Sequence, residues 1–338
     1  MKGIYSNRNY LAQYDLESTL FENFNVKPKE VLPLRSVFMI TDEIGQKILK
    51  KVDYTLEELK FIEQGLKYVN RSFDRTMNFL NTRDNKPYVI WNGSIYCMMD
   101  LVEGRESDYS NPMDLIIATE ALAELHCAGK GFYSHIKSKN NIGNIIRNFR
   151  RREKEMNLFK ELSLIYSKKS KFNNIVSDNV DFFIEQIKKS IKILENSCYY
   201  KLCSIEEKRV FCHHDLAYHN IIINNDKGYF VDFDYAIVDL RVHDLCNFIT
   251  KWVKSSAYDV EKCSKILEVY NKINPLNSKE IEVLYGMLTF PQEIYNIVKD
   301  YYTNNKDWSE KDSVDKLKKK VELEEFKKDF LKDFKGLI

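Results

Sequence analysis

Between residues 211 and 240 the chain reads FCHHDLAYHNIIINNDKGYFVDFDYAIVDL. Asp215, Asn220, Asp232 and Asp234 stand there between runs as apolar as IIIN and YFVDF. A carboxylate drawn into an apolar setting without a partner is costly, so few folds accommodate this pattern. The apolar runs read as two short strands joined by Asn-Asn-Asp-Lys-Gly, a composition that favours a turn. The polar residues then sit in loops that the strands hold in place, facing one cleft. The rest of the chain has to build that cleft.

The N-terminal third supplies strands and helices. Residues 8–24 predict an amphipathic helix with Leu11, Leu16, Leu20 and Phe24 on one side. Strands follow at residues 31–34, 37–40 and 47–52, with a loop at Arg35 and Ser36 and a turn from Asp42 to Gly45. Thr55 is placed to cap a helix whose apolar stripe is Leu59, Ile62, Leu66 and Val69. Asn92-Gly93 marks the two-residue turn of a second hairpin, PYVIWNGSIYCMMDLV. After Val102 the pattern changes. Glu103-Gly104-Arg105 and a polar stretch containing Pro112 lead into a mainly helical remainder, with helices predicted at residues 115–126, 142–166 and 180–196 and again from Leu245 onward. The tail carries Val314, Leu317, Val321, Phe326, Phe330 and Phe334 at helical spacing, which predicts an amphipathic helix packed on the helical part. The expected fold is α+β: a small lobe of strands with one main helix over residues 1–102, then a larger helical lobe over residues 103–338.

Lys and Arg number 52 against 50 Asp and Glu, interleaved along the chain, which gives no electrostatic case for a nucleic-acid partner. No apolar run approaches the roughly 18 residues that a membrane span needs. The N-terminus lacks the continuous apolar stretch of a secretory signal. Seven cysteines are scattered without a CxxC pair or a Cys/His ligand spacing. They read as reduced structural thiols of a cytosolic protein, and a zinc site is not expected.

The polar residues of 211–240 suit one kind of chemistry. Phosphoryl transfer asks a protein mainly for positioning and for neutralisation of phosphate charge. It needs a carboxylate to orient the attacking hydroxyl, and oxygen donors for a hard divalent cation. His213-His214-Asp215, Asn220 and Val231-Asp232-Phe233-Asp234 supply carboxylates and an amide oxygen of these kinds.

That order, HxDxxxxN and then VDFD, resembles the catalytic core of the protein-kinase-like superfamily in its small-molecule branch, the aminoglycoside phosphotransferases and choline kinases. VDFDYAIVDLRVHDLCNF is particularly similar to the choline-kinase stretch. With GQKILKKV, YCMMDLVEGRE, ALAELHCAGKGF and the basic insert NIIRNFRRREKEM, the chain also resembles bacterial spore-coat proteins of the CotS type, which share that fold. The resemblance covers nearly the whole chain and implies a bilobal kinase-like fold that uses ATP and Mg²⁺. It makes Asp215 the catalytic base and puts Asn220 and Asp232 on the metal. Lys50 becomes the phosphate-binding lysine, oriented by Glu58 or Glu63, and Ser36 lies in the loop over the phosphates. Asp100 and Val102 offer backbone groups to the adenine edge, with Met99 or Met98 packed near the ring. Asp244 braces the catalytic loop.

The acceptor implied is a small molecule with a hydroxyl group, of unassigned identity, and other spore coat proteins are candidate partners. The implied location is the mother-cell cytoplasm, with incorporation into the coat. Two other readings stay open: a catalytically silent coat scaffold, and a choline- or aminoglycoside-type kinase unrelated to spores. The chain departs from the family pattern in having no G-x-G-x-x-G, and in carrying His214 where many relatives have glycine. Among the remaining candidates, His213 reads as structural and His126 as a satisfied core histidine, while His214 and His219 are open as acceptor-pocket residues. Trp252, Tyr258, Tyr295 and Trp308 read equally as core or as an aromatic box for a cation. The basic run Arg147, Arg150, Arg151 and Arg152 reads most simply as a solvated helix face.

Overall fold

The computed structural model describes residues 16–166 and 170–336. Its N-terminal part is a five-stranded antiparallel sheet in the order β1-β2-β3-β5-β4. The strands are β1 (Glu30–Leu34), β2 (Val37–Thr41), β3 (Gln46–Val52), β4 (Val89–Trp91) and β5 (Ser94–Asp100). Each hairpin turn uses the chemistry its sequence announces. Asn92 and Gly93 both have positive φ, 47° and 75°, as a tight two-residue turn requires. Asp42 closes its turn by accepting the N–H groups of Ile44 and Gly45 and pairing with Lys47 at 2.8 Å.

Side chains alternate across the sheet, so β5 serves two cores. Tyr96 and Met98 join Leu49, Val31 and Ile40 under the N-terminal segment Leu16, Leu20, Phe21 and Phe24. Cys97 and Met99 face the other way, toward the helix Leu56–Val69 and the main core. Among the described residues of the predicted N-terminal helix, Ser18–Glu22 is helical; Leu11 lies outside the described residues, and Phe24 is buried just beyond Glu22. Leu56–Val69 carries the expected capping box, with Thr55 and Glu58 satisfying each other's backbone N–H groups. Gly65 of this helix lies directly against the Phe211 ring, where a Cβ would collide. The helix therefore rides close on the helical part of the molecule.

Beyond Asp100 the chain is mainly helical: Pro112–Ala128, Ile145–Tyr166, Lys171–Asn196, Arg241–Lys254 and further helices to Gly336. Two small sheets interrupt it, one ordered β6-β8-β9 and one pairing β10 with β7. Here β6 is Arg105–Glu106, β7 is Arg209–Cys212, β8 is Ile221–Asn224, β9 is Lys227–Phe230 and β10 is Ile237–Leu240.

Four expectations need correction. The second strand of the polar stretch stops at Phe230, because Val231 donates its N–H to the Asn220 carbonyl and Asp232 turns to φ 64°. β10 was not expected; it pairs antiparallel with β7. The helix expected from residue 180 starts at Lys171, where Phe172 stacks on Tyr301 at 3.8 Å. The single tail helix is two, Glu310–Glu322 and Glu324–Gly336; Phe330 and Phe334 are buried, whereas Phe326 is exposed.

Candidate active site

The loop after β7 is set by one buried carboxylate. Asp244, in the first turn of Arg241–Lys254, accepts the backbone N–H of His213 and of His214, each at 2.7 Å. The His126 ring meets the same carboxylate at 3.2 Å and the Tyr270 hydroxyl at 2.7 Å, so His126 is a satisfied core residue. Burial opposes ionisation of Asp244, but the His126 contact and its neighbours outweigh it and bring the pKa to about 2. His214 has φ 66°, the left-handed region where glycine is at ease. That explains why glycine suits this position, and the Asp244 clamp holds a bulkier residue in the same turn. His213 is buried and its Nε2 meets the Val231 carbonyl at 2.9 Å, which ties this loop to the segment carrying Asp232.

Asp215 and Asn220 come together at the loop's mouth. The Asn220 amide N–H₂ donates to the Asp215 carbonyl at 2.9 Å and to its carboxylate at 3.0 Å. That fixes the flip of the amide, and its Oδ1 takes no hydrogen bond among the described residues. Asp215 is also paired with Lys251 at 2.5 Å. Burial pushes the Asp215 carboxyl up, but the Lys251 ammonium more than reverses this, so the pKa lies below the usual value. Lys251 was not singled out from the sequence, and nothing local marks it among the other lysines.

Lys50 sits mid-sheet with its Nζ 2.7 Å from both Asp232 and Asp234. Burial alone would lower its pKa; the Asp234 and Asp232 carboxylates overcome that and raise it. One ammonium cannot neutralise two carboxylates, so Asp234, pushed up by burial and by Asp232 against the pull of Lys50, also sits above its ordinary value. Asp234 thus belongs to the cluster as fully as Asp232.

Glu58 does not reach Lys50. Its carboxylate is held by the N–H and hydroxyl of Thr55 at 3.0 and 3.2 Å, with Lys139 at 3.6 Å. Glu63 pairs with Lys67 instead. Helix capping takes one glutamate and helical spacing the other, and Lys50 turns to the aspartates.

Register decides the methionine. Lys50 pairs with Cys97 and Ile48 with Met99, so Met99 shares the Lys50 face of the sheet and Met98 lies on the opposite one. Leu101 donates to the Gln46 carbonyl, so by antiparallel alternation Asp100 turns its backbone groups away from β3. Met98 shows the same direction, its carbonyl accepting from Leu80. Val102 has no backbone hydrogen-bond partner among the described residues. Ser36 is exposed in the turn between β1 and β2, beside Val37, whose partner is Lys50. No hydrogen bond among the described residues joins it to the lysine cluster. Its neighbour Arg35 reaches Glu106 at 2.9 Å and ties the hairpin tip to the helical part.

With this geometry in view, the chain can be set beside known proteins. The profile of the family described as "Spore coat putative kinase YutH" matches residues 17–334. The chain belongs to that family. Among curated proteins the chain is similar to spore coat protein S of Bacillus subtilis (strain 168), 22% identical over 302 residues, covering 88% of this chain and 86% of that protein. Among solved structures, an aminoglycoside phosphotransferase from Alicyclobacillus acidocaldarius superposes with a TM-score of 0.83 at 16% identity, covering 95% of this chain and 96% of that one. The amicoumacin kinase hAmiN, solved with AMP-PNP and Ca²⁺, gives 0.63 at 12% identity over 97% and 99%. The family member described here therefore has the bilobal kinase-like fold.

Among the described residues no three His, Cys, Asp or Glu side chains converge as a protein-only metal cage. Mg²⁺ takes one or two carboxylates and completes its shell with water and phosphate. Asp232 and the amide oxygen of Asn220, which takes no hydrogen bond among the described residues, fit that donor set. No described helix is long and apolar enough to cross a membrane.

Proposed function

We propose that this protein transfers the γ-phosphoryl group of ATP, with Mg²⁺, to a hydroxyl of a small molecule. The observation that carries the reading is the convergence of Lys50, Asp232 and Asp234 in one ion cluster, joined through Val231 and Asn220 to Asp215. These residues lie as far apart as 184 positions in sequence.

Lys50 steadies phosphate oxygens once nucleotide competes for it with the aspartates. Asp232 and Asn220 hold the metal, which when bound neutralises charge on the β- and γ-phosphates. Asp215, ionised at neutral pH, orients the acceptor hydroxyl. The acceptor oxygen bonds to the γ-phosphorus as the bridging P–O bond to ADP breaks, and the hydroxyl proton leaves through Asp215 to water. The Asp100 carbonyl and the backbone of Val102 are offered to an adenine edge, with Met99 on the neighbouring face.

The test is ADP release from ATP–Mg²⁺ in the presence of hydroxylated small molecules. Release that depends on acceptor supports transfer. Nucleotide binding with no release under any acceptor would favour the silent scaffold. The family and its Bacillus subtilis relative support a place in the spore coat; absence from extracted coats of purified spores would count against it.

A further inference from the structure

Beside Asp215 the helical part opens a cavity of about 710 Å³, and its walls are unusually one-sided in charge. Seven lysine and arginine side chains line it, against two glutamates, Glu293 and Glu324. Glu293 is already doubly compensated, by Lys254 at 2.8 Å and Lys320 at 3.0 Å. Lys327 is buried, donates to the Phe290 carbonyl at 3.1 Å and has no carboxylate within ion-pair distance among the described residues. Arg152 is held between the Phe290 and Tyr295 rings, 5.5 and 5.1 Å from their centroids. Its terminal nitrogen donates to the neutral Gln292, and its buried Nε has no hydrogen-bond partner among the described residues. The His214 Nδ1, in the same wall, is likewise buried without a partner.

The basic run of the helix Ile145–Tyr166 splits across this cavity. Arg150 pairs with Glu195 at 2.6 Å and Arg151 lies 3.8 Å from Glu155, both on the outer surface. Arg147, which is exposed, and the half-buried Arg152 line the cavity with Asn144 and Asn148. The solvated-face reading holds for Arg147, Arg150 and Arg151, which are exposed, and fails for Arg152. Nor do the aromatic residues gather as a box for a cation. Trp252 is buried against Tyr109, Trp308 lies under Lys316, and Tyr295 is taken by Arg152. Lys251, which reaches Asp215, connects the cavity to the transferring centre.

We propose that the cavity is the acceptor site and that the acceptor is an anionic polyol, a hydroxylated small molecule bearing phosphate or carboxylate groups. This rests on the phosphotransferase reading and narrows its substrate class. Buried cations without carboxylate partners are unsatisfied until an anion enters, while an amine would meet repulsion from most of the wall. Burial lowers the Lys327 pKa and outweighs the attraction of Glu324 and Glu293, neither of which comes within ion-pair distance. The amides of Asn144 and Asn148 provide neutral donors and acceptors for hydroxyls.

The experiment is thermal denaturation of the full chain at constant ionic strength with glucose 6-phosphate, gluconate, glucose, choline or kanamycin. At millimolar ligand the two anions should raise the midpoint, and glucose, choline and kanamycin should not. A response to only one anion assigns phosphate or carboxylate. Arg147→Gln and Arg152→Gln should each reduce the anion-dependent shift several-fold, and Arg150→Gln should retain it. Arg147 is exposed, so its variant carries the test even where the Arg152 variant fails to fold. Absence of any anion effect, stabilisation by the amines alone, or a shift that survives both variants overturns the proposal. ADP release with neutral or cationic acceptors alone sinks it while leaving the phosphotransferase reading intact. Anion binding without any ADP release does the reverse.

Discussion

Asp215→Ala is expected to lower acceptor-dependent ADP release by about 10²–10⁴-fold while leaving nucleotide affinity nearly unchanged. The asymmetry follows from where Asp215 stands. Its carboxylate meets Asn220 and Lys251 and has no contact with Lys50, so it contributes little to holding phosphates. Its interaction with the hydroxyl strengthens only as the O–P bond forms, and groups acting in that way affect turnover more than binding. The Lys251 contact keeps the carboxyl ionised, below its ordinary pKa. Orientation of the hydroxyl is then the main task, and the rate should fall with acid only as pH drops below the usual aspartate range. Asp215→Asn keeps the shape and serves as the isosteric control. A variant releasing ADP at the parent rate would remove Asp215 from the mechanism.

The second large effect is structural. Asp244→Ala should cost about 3–5 kcal/mol of stability, because it strands buried groups that have no alternative partner. Those groups are the N–H of His213, the N–H of His214 and the Nε2 of His126, whose Nδ1 keeps the Tyr270 hydroxyl. His214 would also keep its left-handed backbone without the bond that fixes it. Chemical denaturation measures this, and a loss under about 1 kcal/mol would show that the loop stands without its clamp. The same carboxylate sets a pH dependence. Its folded pKa, about 2, lies below the ordinary 3.8. A depressed folded value stabilises above the unfolded pKa, so the contribution, about 2 kcal/mol, is complete above about pH 4 and fades as pH falls toward 2.

How much of this the sequence carried depended on whether the deciding interaction was local. The Asn92-Gly93 turn and the Thr55 capping box are fixed by neighbours within a few residues, and both were readable. The Asp215, Asn220 and Asp232 motif was readable because its spacing resembles that of the kinase-like core. Glu58 illustrates the limit: its place on the right helix pointed to Lys50, yet its own N-cap claims the carboxylate. The aspartates that bind Lys50 instead are brought there by the packing of two distant segments. YFVDF looked like a strand through Phe233, but the Val231 to Asn220 bond and the positive φ of Asp232 are tertiary decisions. The start of the helix at Lys171 was hidden by asparagines of low helix propensity, which the stack of Phe172 on Tyr301 overrides. The cavity charge was the least readable. Arg147, Arg150, Arg151 and Arg152 look alike in sequence, and only folding puts Arg147 and Arg152 on the cavity wall.

The most direct measurement is a calorimetric titration of ATP into the parent and into Asp232→Ala, with and without Mg²⁺. Saturable binding in the parent that needs the cation, weakened at least about tenfold in the variant, is the predicted result. Equal affinity in both proteins, or affinity indifferent to the cation, would contradict an oxygen-donor site built from Asp232 and Asn220.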